Sequence, residues 1–200
     1  MTGFAALRRF AQPGPQPDRC DMCAAALPAN HEHLVEPAAR RLVCACGPCA
    51  MLFTSQEGGR YRRVPSRLER LVDVRLPEDR WGALGIPVKL AFLYRSSAAG
   101  GTVAVYPSPA GPLEAAVPAD AWRAFTDKNP TLRDLELDVE ALLVNRVGGA
   151  DDAFRCSLDR CYHLIGLLRT RWAGMTGGPD LWWAVNAYFA RLRAEAGGGQ

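Results

Sequence analysis

The chain has 200 residues, 48% of them hydrophobic, and a formal net charge of +3. That length and apolar fraction are sufficient to bury a core, which excludes an intrinsically disordered chain. Basic and acidic residues number 24 and 21, and this near balance favours neither a nucleic-acid partner nor an anionic membrane surface. Because no apolar run reaches membrane-spanning length and no export signal is visible, we expect a cytoplasmic protein without membrane insertion.

Four segments are predicted along the chain. Residues 1–19 form a flexible Pro-rich leader, residues 20–58 a Cys-rich metal-binding module, residues 59–195 an α+β domain ending in a helical hairpin, and residues 196–200 a disordered tail. The leader is assigned because proline lacks a backbone donor, and the tail because terminal glycines do not sustain a helix.

Two Cys-x2-Cys turns open and close the Cys-rich module. Cys20 and Cys23 form the first turn, and Cys46 and Cys49 form the second after 22 intervening residues. Each turn can point two sulfurs at one centre, so together they supply four thiolates for a tetrahedral ion. Clustered cysteines in a chain without an export signal favour a metal over disulfides. We therefore predict a structural Zn²⁺ site, which would also stabilise a segment too short to fold on an apolar core alone.

Between the two turns the sequence predicts a hairpin. Strand-like residues at 33–36 and 41–45 flank a turn at 37–40, and a helix is expected to begin near Ala50. Turn, hairpin, and then ligands at a helix start is the order of a treble-clef or zinc-ribbon-like module.

Cys44 and His33 remain as alternative ligands for the ion. Cys44 and Cys46 are two residues apart and share a face of the predicted strand, so either could be the third ligand; Cys46 is preferred because it completes a Cys-x2-Cys turn. His33 is the second alternate, although it and His31 are interpreted as surface residues or as neighbours of the metal site.

Iron is the alternative to zinc. Four sulfurs in this spacing could hold a rubredoxin-type iron, but Ala24 and Ala50 stand where glycine usually follows such turns. An iron–sulfur cluster that uses Cys44 as an additional ligand is also compatible with the spacing.

The middle of the chain predicts a small antiparallel sheet. Strands are expected at 89–95 and 102–106, joined as a hairpin through a Ser- and Gly-rich loop, and a further strand is expected within 137–147. A helix should begin near Pro118 and end before Asn129-Pro130. This order of elements favours an α+β fold.

The last fifty residues predict two helices in an antiparallel hairpin. Apolar residues recur at spacings of three and four in both helices, and Gly177-Gly178-Pro179 separates them. The first stripe comprises Leu158, Cys161, Leu164, Ile165, Leu168 and Trp172, and the second comprises Leu181, Val185, Tyr188, Phe189 and Leu192.

Other chemistry-bearing residues receive structural interpretations. Cys156 and Cys161 are five residues apart, more than one helical turn, so no second metal pair is expected there. His163 is assigned to a helix surface. Trp182 and Trp183 are consecutive and cannot both face the same core, so either one of them is available as an anchor for a partner or both wrap the edges of the two-helix packing.

Neither a nucleic-acid site nor an active site is indicated. The arginines at 60, 62, 63 and 67 are interpreted as a solvated surface. The sequence contains no phosphate loop, dinucleotide fingerprint, nucleophile elbow or His-Glu-x-x-His motif, so no catalytic residue is predicted.

Several motifs together carry a family resemblance. They are the first Cys-x2-Cys turn, His-x-His-Leu, Leu-Val-Cys-Ala-Cys-x2-Cys, Tyr61-Arg62-Arg63-Val64-Pro65, Cys161-Tyr162-His163-Leu164-Ile165-Gly166, Trp172-x-Gly174 and Gly177-Gly178. With them the chain resembles an uncharacterised family of high-GC, actinobacterial-type proteins encoded near nickel–iron hydrogenase genes, and its C-terminal pattern is similar to a segment of hydrogenase accessory proteins.

The resemblance implies the enzyme system in which the protein acts, and it implies no particular reaction. The leading hypothesis is a non-catalytic metal-binding accessory protein that contacts a protein partner, a hydrogenase subunit or maturation factor. A rubredoxin-like or iron–sulfur electron-transfer protein for the same system is the first alternative, and a zinc-ribbon nucleic-acid binder is the second.

Overall fold

The computed structural model describes residues 18–55, 59–74 and 76–198. Most of the predicted leader and the last two residues of the predicted tail lie outside these ranges. The strands are β1 (Glu32–Glu36), β2 (Arg41–Ala45), β3 (Arg62–Arg63), β4 (Leu68–Arg70), β5 (Leu90–Ser96), β6 (Gly101–Ser108), β7 (Gly111–Ala116), β8 (Glu140–Asn145) and β9 (Asp152–Ser157). The α-helices are α1 (Gly47–Thr54), α2 (Glu78–Ala83), α3 (Ala119–Lys128), α4 (Leu158–Arg171) and α5 (Pro179–Gly197).

A six-stranded antiparallel sheet forms the centre of the α+β domain, in the order β4-β9-β8-β5-β6-β7. The predicted antiparallel hairpin is β5–β6, with Phe92 opposite Val105. The sheet is larger than the small one predicted, because β4, β7 and β9 were not anticipated. Strand β4 has only three residues and β7 includes Pro112, and both are edge strands, where short length and proline are tolerated.

The central strands are buried on both faces of this sheet. Leu90, Phe92 and Tyr94 belong to one apolar cluster, whereas Ala91 and Leu93 belong to another. Side chains alternate between the two faces of a strand, so the continuous apolar run in β5 reflects two cores, one on each side of the sheet.

The C-terminal helices cover one of these faces. Arg160 near the start of α4 donates to Glu195 near the end of α5 at 2.7 Å, so the two helices run antiparallel, as predicted. Helix α5 continues to Gly197. Its last residue lies two positions beyond the boundary predicted after residue 195.

Helices α2 and α3 cover the opposite face. Trp81 of α2, Phe125 of α3 and Leu132 after it are buried in the second cluster. Helix α3 ends directly before Asn129-Pro130, where the sequence predicts its end. Among the helices that the structure describes, none combines the length and apolar character that crossing a bilayer requires.

A second, three-stranded sheet in the order β2-β1-β3 forms the N-terminal module. Leu34, Val43 and Ala45 face α1 in a small core of their own. Val35 lies on the other face of the hairpin, in the main core with Val64. The module therefore packs on the α+β domain through one face of its hairpin.

Candidate metal centre

The first Cys-x2-Cys turn is closed by backbone hydrogen bonds. The N–H of Ala24 donates to the carbonyl of Cys20 at 2.8 Å, and the N–H of Cys20 donates to Ala25 at 2.9 Å. Ala24 has φ of 59°, a left-handed conformation that glycine adopts at lower cost. The turn is thus formed at the position where the sequence has alanine instead of the glycine usual in rubredoxin-type sites.

The second pair lies at the start of α1. Cys46 is the N-cap residue, and Cys49 follows Pro48 in the first turn of the helix. The N–H of Ala50 donates to the carbonyl of Cys46 at 2.8 Å. Proline suits the first turn of a helix, and the positive end of the helix dipole stabilises thiolates there.

The hairpin brings the two pairs together. The sulfurs of Cys20, Cys23, Cys46 and Cys49 all lie within 4.8 Å of one another, and the Sγ atoms of Cys23 and Cys46 are 3.7 Å apart. A tetrahedral ion with bonds of about 2.3 Å to sulfur requires edges of about 3.8 Å. The four residues therefore fit one ion, and four thiolates leave no open coordination position.

The pKa values of Cys20 and Cys49 in this cluster lie far from the ordinary value of a cysteine thiol. Burial raises the pKa of Cys20, but hydrogen bonding from the backbone of Cys46, Met22 and Cys23 outweighs it and lowers the pKa to about 6. Hydrogen bonding to Cys46, together with burial, raises the pKa of Cys49 to about 12. The sulfurs are close enough to oppose each other's ionisation, and a divalent cation would remove that opposition.

The two alternate ligands belong to a different group. Cys44 and His33 cluster with His31, and their ligand atoms lie within 4.8 Å of one another. The structure therefore places Cys46, and not Cys44, with the other three cysteines. Asp159, which the sequence did not single out, adjoins this second group: its Oδ2 lies 3.1 Å from Nδ1 of His33.

The arginines at 60–67 are paired with carboxylates. Arg60 donates to Glu36 at 2.6 Å, and Arg63 donates to Glu32 at 3.0 Å. The other two reach the α+β domain, Arg62 to Asp138 at 3.3 Å and Arg67 to Glu140 at 3.0 Å. Arg62 of β3 thus attaches the module to the buried Asp138 of the α+β domain, whereas Arg67, directly before β4, pairs within that domain. The four arginines do not form an unpaired basic patch.

Cys156 and Cys161 lie together, with their Sγ atoms 3.7 Å apart. The helical spacing from which no second metal pair was expected does not apply, because the two residues do not share one continuous helix. Cys156 ends up in β9 and Cys161 in α4, and the bend between these elements at Ser157 brings the two side chains together. Both thiols are buried, and burial raises the pKa of Cys161 well above its ordinary value.

Two surface assignments agree with the structure. His163 is exposed on α4, where its ring stacks on Tyr188. Of the consecutive tryptophans, Trp182 is half-buried and donates to Thr176 at 2.9 Å, whereas Trp183 is exposed. One tryptophan of the pair is thus available at the surface.

The comparisons with known proteins match the chain to a family. The model of a family described as "Family of unknown function (DUF5947)" matches residues 19–196. No curated protein and no solved structure matches the chain.

Proposed function

The chain belongs to the DUF5947 family, and we propose that it is a non-catalytic, zinc-binding accessory protein that acts through contact with another protein. The observation that carries the proposal is the four-cysteine cluster directly beside exposed apolar side chains of α1. The cluster fits a structural ion, and the side chains provide a surface that this ion would hold rigid.

Zinc is favoured by the composition and setting of the cluster. Four thiolates suit Zn²⁺, and such closed sites supply folding energy and not catalysis. The apolar core of the module contains Leu34, Val43, Ala45 and Ala50, which is too little to fold it unaided. The order of turn, hairpin and helix-start ligands supports a treble-clef type of module as part of this proposal.

The contact surface is the outer side of α1. Met51 and Leu52 are 66% and 68% exposed, and Phe53 is 39% exposed. Adjacent exposed apolar residues are typical of protein interfaces. Because Cys46 and Cys49 begin the same helix, a bound ion would fix this surface in place.

The partner proposed is a hydrogenase subunit or maturation factor. Its support is the sequence resemblance to proteins encoded near nickel–iron hydrogenase genes, carried by motifs in both the cysteine module and the C-terminal hairpin.

The test combines metal analysis with a directed pull-down. Protein purified anaerobically should contain zinc and no iron, and Cys49→Ser should lose the thiolate-bound ion. In hydrogenase-expressing cells the tagged chain should recover a hydrogenase subunit or maturation factor. The double variant Met51→Glu, Leu52→Glu should lose that protein, whereas Leu113→Glu, at an exposed apolar position of the edge strand β7, should retain it.

Other outcomes would reject parts of the proposal. Recovery of no hydrogenase-related protein by the wild-type chain would remove the proposed partner. Iron in the four-cysteine cluster, with a visible charge-transfer spectrum, would instead support an electron-transfer protein. The observation that favours this second candidate is the exposure of Cys23 at the edge of the cluster.

A further inference from the structure

We infer that His31, His33 and Cys44 form a second metal site, separate from the four-cysteine cluster, for a divalent cation of the Zn²⁺ type with an open coordination position. Nothing in the proposed function requires this site, since the four cysteines by themselves complete a structural centre.

The strand register brings the three side chains together. His33 lies directly opposite Cys44 in the β1–β2 pair, so their side chains project from the same face of the hairpin. His31 lies immediately before β1, two residues from His33. One ligand atom from each residue lies within 4.8 Å of the other two, and the two imidazole rings are 4.7 Å apart.

Hydrogen bonds orient both rings for metal binding. Nδ1 of His31 lies 2.9 Å from the carbonyl of Pro28, and a carbonyl can only accept, so Nδ1 carries the proton. Nδ1 of His33 lies 3.1 Å from the carboxylate of Asp159. Nε2 is therefore the free nitrogen of each ring. Metal-binding histidines characteristically bond a carbonyl or carboxylate through the other ring nitrogen in this way.

Nε2 of His31 provides a separate indication of a missing ligand. This atom is buried and has no hydrogen-bond partner among the described residues. An unpaired lone pair in a buried position costs free energy. A cation bound at Nε2 would satisfy it.

The backbone also fixes the position of Cys44. Its N–H donates to the Asp21 carboxylate at 2.6 Å, and its carbonyl accepts from the Asp21 N–H at 2.9 Å. The backbone of Cys44 is thus held against the first Cys-x2-Cys turn, while its Sγ atom lies with the ligand atoms of His31 and His33.

The ligand set and its surroundings define the class of ion. Two imidazoles and one thiolate suit Zn²⁺ and similar borderline cations, and three protein ligands leave a fourth position for water or another small ligand. His31, His33 and Asp159 line a groove between the hairpin and the start of α4, so the open position can be reached from solvent.

The site is tested by titrating the full chain, with its cysteine cluster loaded, with Zn²⁺ and with Co²⁺ as a spectroscopic substitute. The wild type should bind one ion more than the cysteine cluster holds. His31→Ala and Cys44→Ser should each lose the additional ion only. His163→Ala, which changes the third histidine of the sequence, should retain it. Asp159→Asn should weaken it about 10- to 100-fold, because it removes the carboxylate that orients His33.

Nuclear magnetic resonance of the unaltered protein provides a readout that does not depend on the folding of any variant. Addition of Zn²⁺ should shift the Nε2 resonances of His31 and His33 and leave those of His163 unchanged. A wild-type chain that binds no ion beyond the cysteine cluster, or an additional ion that leaves both imidazoles unshifted, would overturn the inference. Loss of the cysteine-bound ion alone, as in Cys49→Ser, would bear on the proposed function and not on this site.

Discussion

His33 on β1 and Asp159 in the first turn of α4 are joined across the boundary between the N-terminal module and the α+β domain, with Nδ1 and Oδ2 3.1 Å apart. Val35, two residues along the same strand face, is buried in the main core. The module is thus attached to the domain by one face of its hairpin, whereas its other face depends on a small core beside the four cysteines.

Removal of the ion proposed for the four-cysteine cluster should therefore unfold the module selectively. With a strong chelator we expect amides of β1, β2 and α1 to lose protection from hydrogen exchange, because the core of the module has four buried apolar residues in the part of the chain that the structure describes. Amides of β5 and β8, which lie between two large cores, should retain protection and serve as the internal control. Equal loss of protection in both regions would contradict this division.

Glu140→Gln should cause a large loss of stability. The Glu140 carboxylate is 1% exposed and accepts from Arg155 at 2.9 Å, from Arg67 at 3.0 Å and from the N–H of Glu136 at 2.9 Å. Removing the charge leaves the arginines uncompensated, and breaking such a buried pair costs about 3–5 kcal/mol. Urea denaturation measures the change in unfolding free energy.

The matched control is Glu114→Gln. Glu114 also pairs with an arginine, Arg40, but both side chains are about 40% exposed, and exposed pairs contribute about 0–1 kcal/mol. Similar losses in the two variants would show that burial does not determine the effect.

The Glu36 carboxylate should contribute to acid sensitivity. A hydrogen bond from Arg60, opposed by burial and supported by a second bond from Arg41, lowers the pKa of Glu36. A carboxyl whose folded pKa is lowered stabilises the native state above its unfolded pKa of about 4.3, and that stabilisation is lost as the pH falls through the folded value.

Glu36→Gln should consequently be less stable than wild type at pH 7, and the difference should shrink as the pH is lowered below about 4. Thermal unfolding of both proteins across this range measures it, with Glu69→Gln, at an exposed position of β4, as the control. A difference that is constant with pH would rule out the ion pairs as its source.

Gly177→Ala should destabilise the helix hairpin more than Gly174→Ala does. Both glycines have positive φ, +89° and +63°, but a Cβ at Gly177 would overlap with Cδ2 of the fully buried Leu181, whereas a Cβ at Gly174 meets open space. The left-handed conformation costs alanine about 1–2 kcal/mol at either position. The contact with Leu181 should add about 1–3 kcal/mol at Gly177 alone, measurable by urea denaturation, and equal losses would contradict the steric account.

The sequence alone determined the elements whose signals are local. Two apolar stripes predicted α4 and α5, and the glycines at 177 and 178 marked the turn between them. Cys-x2-Cys spacing predicted Cys20, Cys23 and Cys49 as ligands and left the fourth position between Cys46 and Cys44, because a short turn fixes where neighbouring sulfurs point.

The tertiary structure decided what depends on long-range packing. It separated Cys46 from Cys44 by the strand register and by the start of α1, and it brought Cys156 to Cys161 by a bend that helical spacing could not predict. It also placed Asp159 beside His33, although 125 residues separate them in sequence. Local periodicity specifies which face a side chain occupies, but only the packed fold specifies which distant residue meets that face.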